Sequence, residues 1–365
     1  MTELAKFDPW LTTDDVAAIV IREHLIPVEG ADGVLFPATF AAAEDKKAFP
    51  GGYNIDPPEG PSNVCLVDSV GSQANRIEPM FAEPAYSRLV PQVTIKAAEH
   101  TLNLLDAGHR AGDALVRCTS LKKGLQDAFK AVLLGDAAPL ARIAPTSIVF
   151  GVWDSRDTQA KLPRLISSTV RAFDVKVLRR SAQFNPAIEY INNGLIDDTT
   201  DKAVKDEYAK RGFIHVPASG SPGGVIATGG VRRDATFSLA ALRLLAAGTD
   251  PESTIALRRY ILGLSLVALT ANAATYLRQG CNLVPNIDKP RESVLVRSGG
   301  TREPFELSHA DALRFAEAAA DAFGVTEAME VDFDKELARQ DIAGEGDVRA
   351  TRKRAKKADT TAASA

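Results

Sequence analysis

Between Ser155 and Gln183 seven basic side chains (Arg156, Lys161, Arg164, Arg171, Lys176, Arg179 and Arg180) stand against two acids, Asp157 and Asp174. The chemistry open to such a stretch is binding rather than bond-making. Guanidinium groups pair with phosphates, and the hydroxyls and amides between them can reach riboses. The stretch opens on a polar tip, Trp153-Asp154-Ser155-Arg156-Asp157-Thr158-Gln159. An exposed Trp153 beside Ser155, Arg156 and Gln159 would stack on bases, whereas a ring folded back onto the core would only pack. A solvated hairpin with its charges in water is the alternative for the whole stretch.

Two further clusters carry similar chemistry. Gly229-Gly230 precedes Arg232-Arg233, and if residues 235–247 form an apolar helix capped by Asp234, the loop is a phosphate cradle at a helix N-terminus. The alternative is a flexible loop with its arginines in water. The loop fits neither G-x-x-x-x-G-K-[ST] nor G-x-G-x-x-G. Asp68 or Ser69 can cap a helix running through Met80, in which Ser72, Gln73, Asn75 and Arg76 leave little apolar face.

Bond-making chemistry has less to stand on. His24, His100, His109, His215 and His309 show no H-x-x-x-H or H-E-x-x-H spacing. Ser69 lacks a G-x-S-x-G context. Cys65, Cys118 and Cys281 lie far apart without a C-x-x-C pair, which suits a reducing, cytoplasmic setting. The expectation is therefore no catalytic residue, no metal and no cofactor.

The elements that must position these residues follow from patterning. The chain of 365 residues has a net charge of −4, so a positive binding surface must be local rather than global. Residues 17–28 read as a first strand and 30–61 as a long irregular loop. Residues 64–67 and 93–95 are expected as strands, 102–116 and 121–134 as helices, and 148–150 as a strand leading into the tip. Beyond them 201–211 and 310–323 read as helices, 213–216 as a strand and 294–307 as a hairpin. Residues 260–277 carry no charge but include Ser, Thr, Asn and Tyr, and they read as part of a buried helix over 254–279 rather than a membrane span. The mixed order of strands, helices and hairpins predicts an α+β fold over 1–340. Residues 341–365 are expected to be a disordered basic tail, with six basic residues between 349 and 357.

Several motifs together resemble one family: DSVGSQANRIEP (68–79), LDAGHRAGDA (105–114), PTSIVFGVWDSRDTQAKLPR (145–164), RSAQ (180–183) and GGVRRDA (229–235), with PVEG (27–30) and FPATF (36–40). They resemble the CRISPR-associated RAMP backbone protein of the type I-G (formerly I-U) effector, over about residues 20–285. The resemblance implies a modified RRM-like (ferredoxin-like) palm with large inserted finger and thumb elements. It implies an antiviral-defence subunit of a Cascade surveillance complex that oligomerises as a helical filament along the spacer of a CRISPR RNA. The partners implied are that RNA, target DNA through guide pairing, further copies of the chain, the guide-processing and large subunits and a recruited helicase-nuclease, with no membrane. Such binding is sequence-independent and non-catalytic. By carry-over Ser72, Gln73, Asn75 and Arg76 line the RNA track, Trp153, Ser155, Arg156, Gln159 and Arg164 form the adjoining strand and loop, and Arg179, Arg180, Gln183, Arg232 and Arg233 complete the groove. The sequence departs from RRM proteins in having no aromatic-rich strand, which favours polar contacts over stacking on a sheet face. Two other readings stand beside this one: a metal-dependent ribonuclease of the same superfamily using Asp154 or Asp157, and an oligomeric scaffold that binds no RNA.

Overall fold

The structure is a computed structural model that describes residues 3–57, 62–325 and 327–343. Its strands are β1 (Val16–Pro27), β2 (Val64–Asp68), β3 (Ile166–Phe173), β4 (Val175–Phe184), β5 (Val216–Ala227), β6 (Val231–Ser238), β7 (Cys281–Pro285) and β8 (Glu292–Arg297), with shorter ones between. The helices used below are α1 (Val70–Ile77), α2 (Lys122–Leu133), α3 (Pro145–Phe150), α4 (Lys202–Lys210), α5 (Pro251–Thr270) and α6 (His309–Phe323). The fold is mixed α+β around one antiparallel sheet in the order β7-β1-β6-β3-β2, with β8 also pairing β1.

Alternation along the strands decides what each face carries. β1 and β6 send Ile19, Ile21, Leu25, Val231, Ala235 and Phe237 inward, and all six are buried. Half of this inner face is covered by α3, α5 and α6, whose Ile148, Phe150, Leu262 and Phe315 join the larger core. The other half is covered by the sheet itself. The strand Tyr276–Arg278, paired to β7, reaches the far edge, where Arg278 Nη1 donates to the Val67 carbonyl at 2.8 Å. The sheet therefore curls until its opposite edges meet, and Leu25, Cys65, Val170, Ala172 and Leu283 form a second apolar cluster inside the curl.

The helices obey local rules. Asp250 caps α5 by accepting from Glu252 N and Ser253 N, with Pro251 in the first turn. By length and composition α5 could cross a membrane, but Leu257 and the run from Tyr260 to Leu269 are buried in the core. Gly263 lets α6 come close, since a Cβ there would lie 2.8 Å from Ala316 Cα.

Several expectations need correction. Residues 148–150 are not a strand but part of α3, whose six residues are all buried. Pro145 suits a first helical turn, and tertiary packing overrides the β-preference of Ile148 and Val149. Residues 102–116 are not one helix. Strand His100–Asn103 gives way to two 3-10 turns and the short helix Ala114–Arg117, because Asn103 and Asp113 each cap a new turn. Residues 235–247 do not form a helix: β6 runs to Ser238 and only Leu239–Leu242 is helical. The buried helix ends at Thr270 rather than 279. The expected tail lies outside the described residues.

Candidate nucleic-acid interface

β4 and β5 leave the sheet as a two-stranded ribbon, paired from Val175↔Ala227 to Phe184↔Val216 with two register shifts. Its base is fixed by Asn63, which accepts from Val175 N at 2.8 Å and donates to the Val175 carbonyl at 3.2 Å. Past Val175 every β4 residue but Leu178 is exposed, so Lys176, Arg179, Arg180 and Gln183 project from a strand with no core behind it. Nearly all of this ten-residue strand is thus presented to solvent. Midway along the strand, the Arg180 guanidinium lies 6.0 Å from the Phe36 ring centroid. At the far end, His215 bridges Asn185 Oδ1 at 2.8 Å and Glu189 Oε1 at 2.6 Å, ahead of which Asp201 caps α4.

The second group of expected residues gathers at the first turn of α1. Ser69, as the N-cap, accepts from Ser72 N at 3.2 Å. Arg164 lies over this turn: a Cβ on Gly71 would meet its Nη2 at 3.9 Å. Gly151, at φ +80°, makes room for the same side chain, because a Cβ there would sit 2.7 Å from Arg164 Cγ. Exposed Asn75 accepts from Arg110 Nη2 at 3.2 Å, and Arg110 also donates to the Gly151 carbonyl at 3.3 Å. Behind them, Arg110 Nε is 2.6 Å from Glu78 Oε2, both side chains being almost wholly buried. Burial pushes the Glu78 carboxyl up to about 7, against the opposing pull of Arg110 and a hydrogen bond from Thr146. Ser72, Asn75 and Arg164 thus form one patch on a rigid polar foundation.

The tip beside that patch is a small hairpin, Val152–Trp153 against Lys161–Leu162. Trp153 is 57% exposed, with Lys161 Nζ 5.6 Å from its ring centroid, so the ring is presented to solvent rather than folded into the core. Buried Asp154 holds the turn by accepting from Asp157 N, Thr158 N and Thr158 Oγ1. Gln159, at φ +61°, donates to the Ser155 carbonyl at 2.6 Å, while Arg156 is exposed. The carboxylate of Asp154 is thus engaged in folding the tip, and that of Asp157 accepts from Gln126 at 2.9 Å. Among the described residues no three His, Cys, Asp or Glu side chains gather as a metal-binding group.

Gln73 and Arg76 point elsewhere. Asp68 is fully buried and accepts from Gln73 Nε2 at 2.7 Å, Arg76 Nε at 3.2 Å and Arg278 Nη2 at 2.6 Å, while Gln73 Oε1 accepts from Ser168 at 3.0 Å. One strand further, Arg233 Nε donates to Glu23 at 2.8 Å, both side chains being buried. These groups form a polar belt across the inner face of the sheet, between the two apolar clusters.

Arg232 and Arg233 cannot complete one groove together, because neighbours in a strand face opposite sides of a sheet. Gly229-Gly230 is the turn between β5 and β6 rather than the entry to a helix, and Asp234 caps nothing: it accepts from Arg232 Nε at 3.0 Å. Arg232 belongs to the outer face, where its guanidinium lies 4.7 Å from the Phe173 ring centroid. The register sets it beside residues not expected from the sequence to bind, His24 on β1 and Arg171 on β3, with Arg22 one pair along. Burial, and then Lys289, Arg232 and Arg22, hold the His24 imidazole below its usual value against the opposing pull of Asp234, which pairs with both Arg22 and Arg232. The alternation of 17–28 already implied that Arg22 and His24 share a face.

The chain thus combines an antiparallel sheet whose inner face is partly covered by helices, an outer face that carries several arginines, and a projecting basic ribbon. Residues 19–177 match the family model described as CRISPR-associated protein GSU0053, and this match supports a CRISPR-associated protein with a role in CRISPR defence. It spans β1 through the start of β4, including the α1 patch and the Trp153 tip, and stops before Arg179. No curated protein matches the chain.

Proposed function

We propose that the chain is a guide-RNA backbone subunit of a type I-G Cascade complex. It binds CRISPR RNA without regard to sequence, repeats along the spacer through contacts between copies, and leaves the bases to pair with target DNA. The observation that carries this reading is the ribbon: Lys176, Arg179 and Arg180 are exposed on a strand without a core, and none of them forms a salt bridge with a described residue. Unpaired cations at that density suit phosphates, and phosphate contacts bind without reading bases.

The strand order supports the RRM-like palm. Taking β1, β3, β6 and β8 as strands one to four, the sheet runs four-one-three-two, all antiparallel, with α3 before the second strand and α5 before the fourth. This order is the one a ferredoxin-like palm would have, and on this reading the ribbon between the second and third strands is its thumb. We propose that it acts without catalysing a reaction, since the two carboxylates nearest the tip are engaged in hydrogen bonds. The test is to express the protein with and without a CRISPR array and to extract nucleic acid from the purified sample. Array RNA of uniform length is expected. A sample that ignores the array would favour the RNA-free scaffold reading, and target-RNA cleavage lost on Asp154→Ala or Asp157→Ala would restore the ribonuclease.

A further inference from the structure

Arg233 lines a cavity of about 320 Å³ that opens where the polar belt passes the end of α5. Its side chain is 4% exposed, its Nε is bound to Glu23, and its Nη2 has no hydrogen-bond partner among the described residues. A buried donor left unmade costs about 1–3 kcal/mol, so an arginine held in this state calls for an acceptor from outside the chain. Arg76 lines the same cavity and engages Asp68 only through Nε, because Arg278 takes the second carboxylate oxygen. Both buried acids are thereby neutralised, and two guanidinium groups remain with N–H groups available.

The rest of the wall suits a ring and its polar edge. Ile77, Met80 and Ala268 give an apolar floor, Tyr86 an aromatic surface and Asn272 an amide, while Glu83 adds one carboxylate that the two guanidinium groups outweigh. His309 closes one end. Thr270 Oγ1 donates to the Leu266 carbonyl, so His309 Nδ1–H donates to Thr270 at 2.9 Å and Nε2 accepts from Tyr86 OH at 2.9 Å. Burial keeps this imidazole below its usual value and neutral, leaving the arginines as the source of positive charge. Ligand pockets start at about 300 Å³, so the cavity admits one small ligand and no more.

We propose that this cavity is a phosphate-binding pocket of mononucleotide size, in which Arg76 and Arg233 hold the phosphate and the Tyr86 side carries the base. The nucleotide is either free in solution or one unit of a bound strand; the recognising chemistry is the same. The proposal does not need the guide-RNA reading.

The experiment measures calorimetric binding of adenosine monophosphate, with inorganic phosphate as competitor, to the RNA-free full chain, alongside the affinity for a single-stranded RNA. Two variants test the pocket. Arg76→Gln leaves Asp68 paired with Arg278. The double change Glu23→Gln with Arg233→Met removes both members of the buried pair, so that no uncompensated charge stays behind. For a free ligand, the nucleotide binds, phosphate competes, and each variant weakens binding at least tenfold, whereas Gly299→Ala, at a position with open space around it, leaves it unchanged. For a strand unit, the free nucleotide does not bind but both variants weaken RNA binding at least tenfold at unchanged melting temperature. Nucleotide binding without RNA binding would keep the pocket and sink the guide reading. Absence of nucleotide and phosphate binding, with RNA affinity unaltered in both variants, overturns the proposal.

Discussion

Arg110 Nε sits 2.6 Å from Glu78 Oε2 in the interior, and this pair is the foundation of the α1 patch. Glu78 follows the end of α1, while Arg110 comes from a 3-10 turn more than thirty residues on and reaches both Asn75 and Gly151. The pair thus ties the helix that carries Ser72 and Asn75 to the loop that places Arg164 and Trp153. Above pH 7, where the carboxyl is ionised, Glu78→Ala should cost about 3–5 kcal/mol, because the buried Arg110 charge would lose its counter-ion. Denaturant unfolding measures this, and a loss below 1 kcal/mol would contradict it.

The same pair sets a pH dependence. The Glu78 carboxyl has a folded-state value of about 7 against an ordinary 4.5. Within this window the folded state binds more protons than the unfolded one, so Glu78's contribution to stability is full below 4.5 and is lost as pH rises through 7. Melting temperature of the wild type should therefore contain a falling component between pH 4.5 and 7 that Glu78→Gln lacks. Parallel pH profiles for the two proteins would disprove this.

Gly151 tests the placement of Arg164. At φ +80° and 2.7 Å from Arg164 Cγ, an alanine Cβ has no room, so Gly151→Ala should destabilise by more than 1 kcal/mol and displace the arginine from the turn of α1. RNA affinity should fall with it, whereas Gly299→Ala, where nothing lies within 4 Å, should change neither.

Trp153 separates presentation from packing. With its ring 57% exposed, Trp153→Ala should leave stability within about 0.5 kcal/mol. If the ring stacks on a base, single-stranded RNA binding should weaken by about 1–3 kcal/mol. Unchanged RNA affinity would reduce Trp153 to a surface residue, and a large loss of stability would contradict its presentation.

The ribbon should act through charge. Arg179→Ala with Arg180→Ala should lower RNA affinity and reduce the slope of log affinity against log salt by about 0.7 for each phosphate no longer neutralised. Melting temperature should hold, since neither side chain packs into a core. An unchanged slope would remove the ribbon from the phosphate path.

Much of this was legible in sequence, and the failures share a cause. The strand at 17–28, the Ser69 cap and the helices at 121–134, 201–211 and 310–323 follow from local patterning, and the structure has them within a few residues. Residues 148–150 failed because six buried residues show no period that separates a strand from a helix. Residues 235–247 failed because a glycine pair before an apolar run suits a helix entry as well as a hairpin. Yet Val231, Ala235 and Phe237 keep the spacing of a strand, and that parity alone puts Arg233 inside. The belt joining Asp68, Arg278, Glu23 and Arg233 spans more than two hundred residues and depends on sheet register, which no local pattern carries.

The most direct test of the central claim is the nucleic acid that accompanies the protein. Purified from cells carrying a CRISPR array, the wild type should bring down array RNA of one length, and Arg179→Ala with Arg180→Ala should reduce it at unchanged melting temperature. Folded wild-type protein free of array RNA would contradict the account.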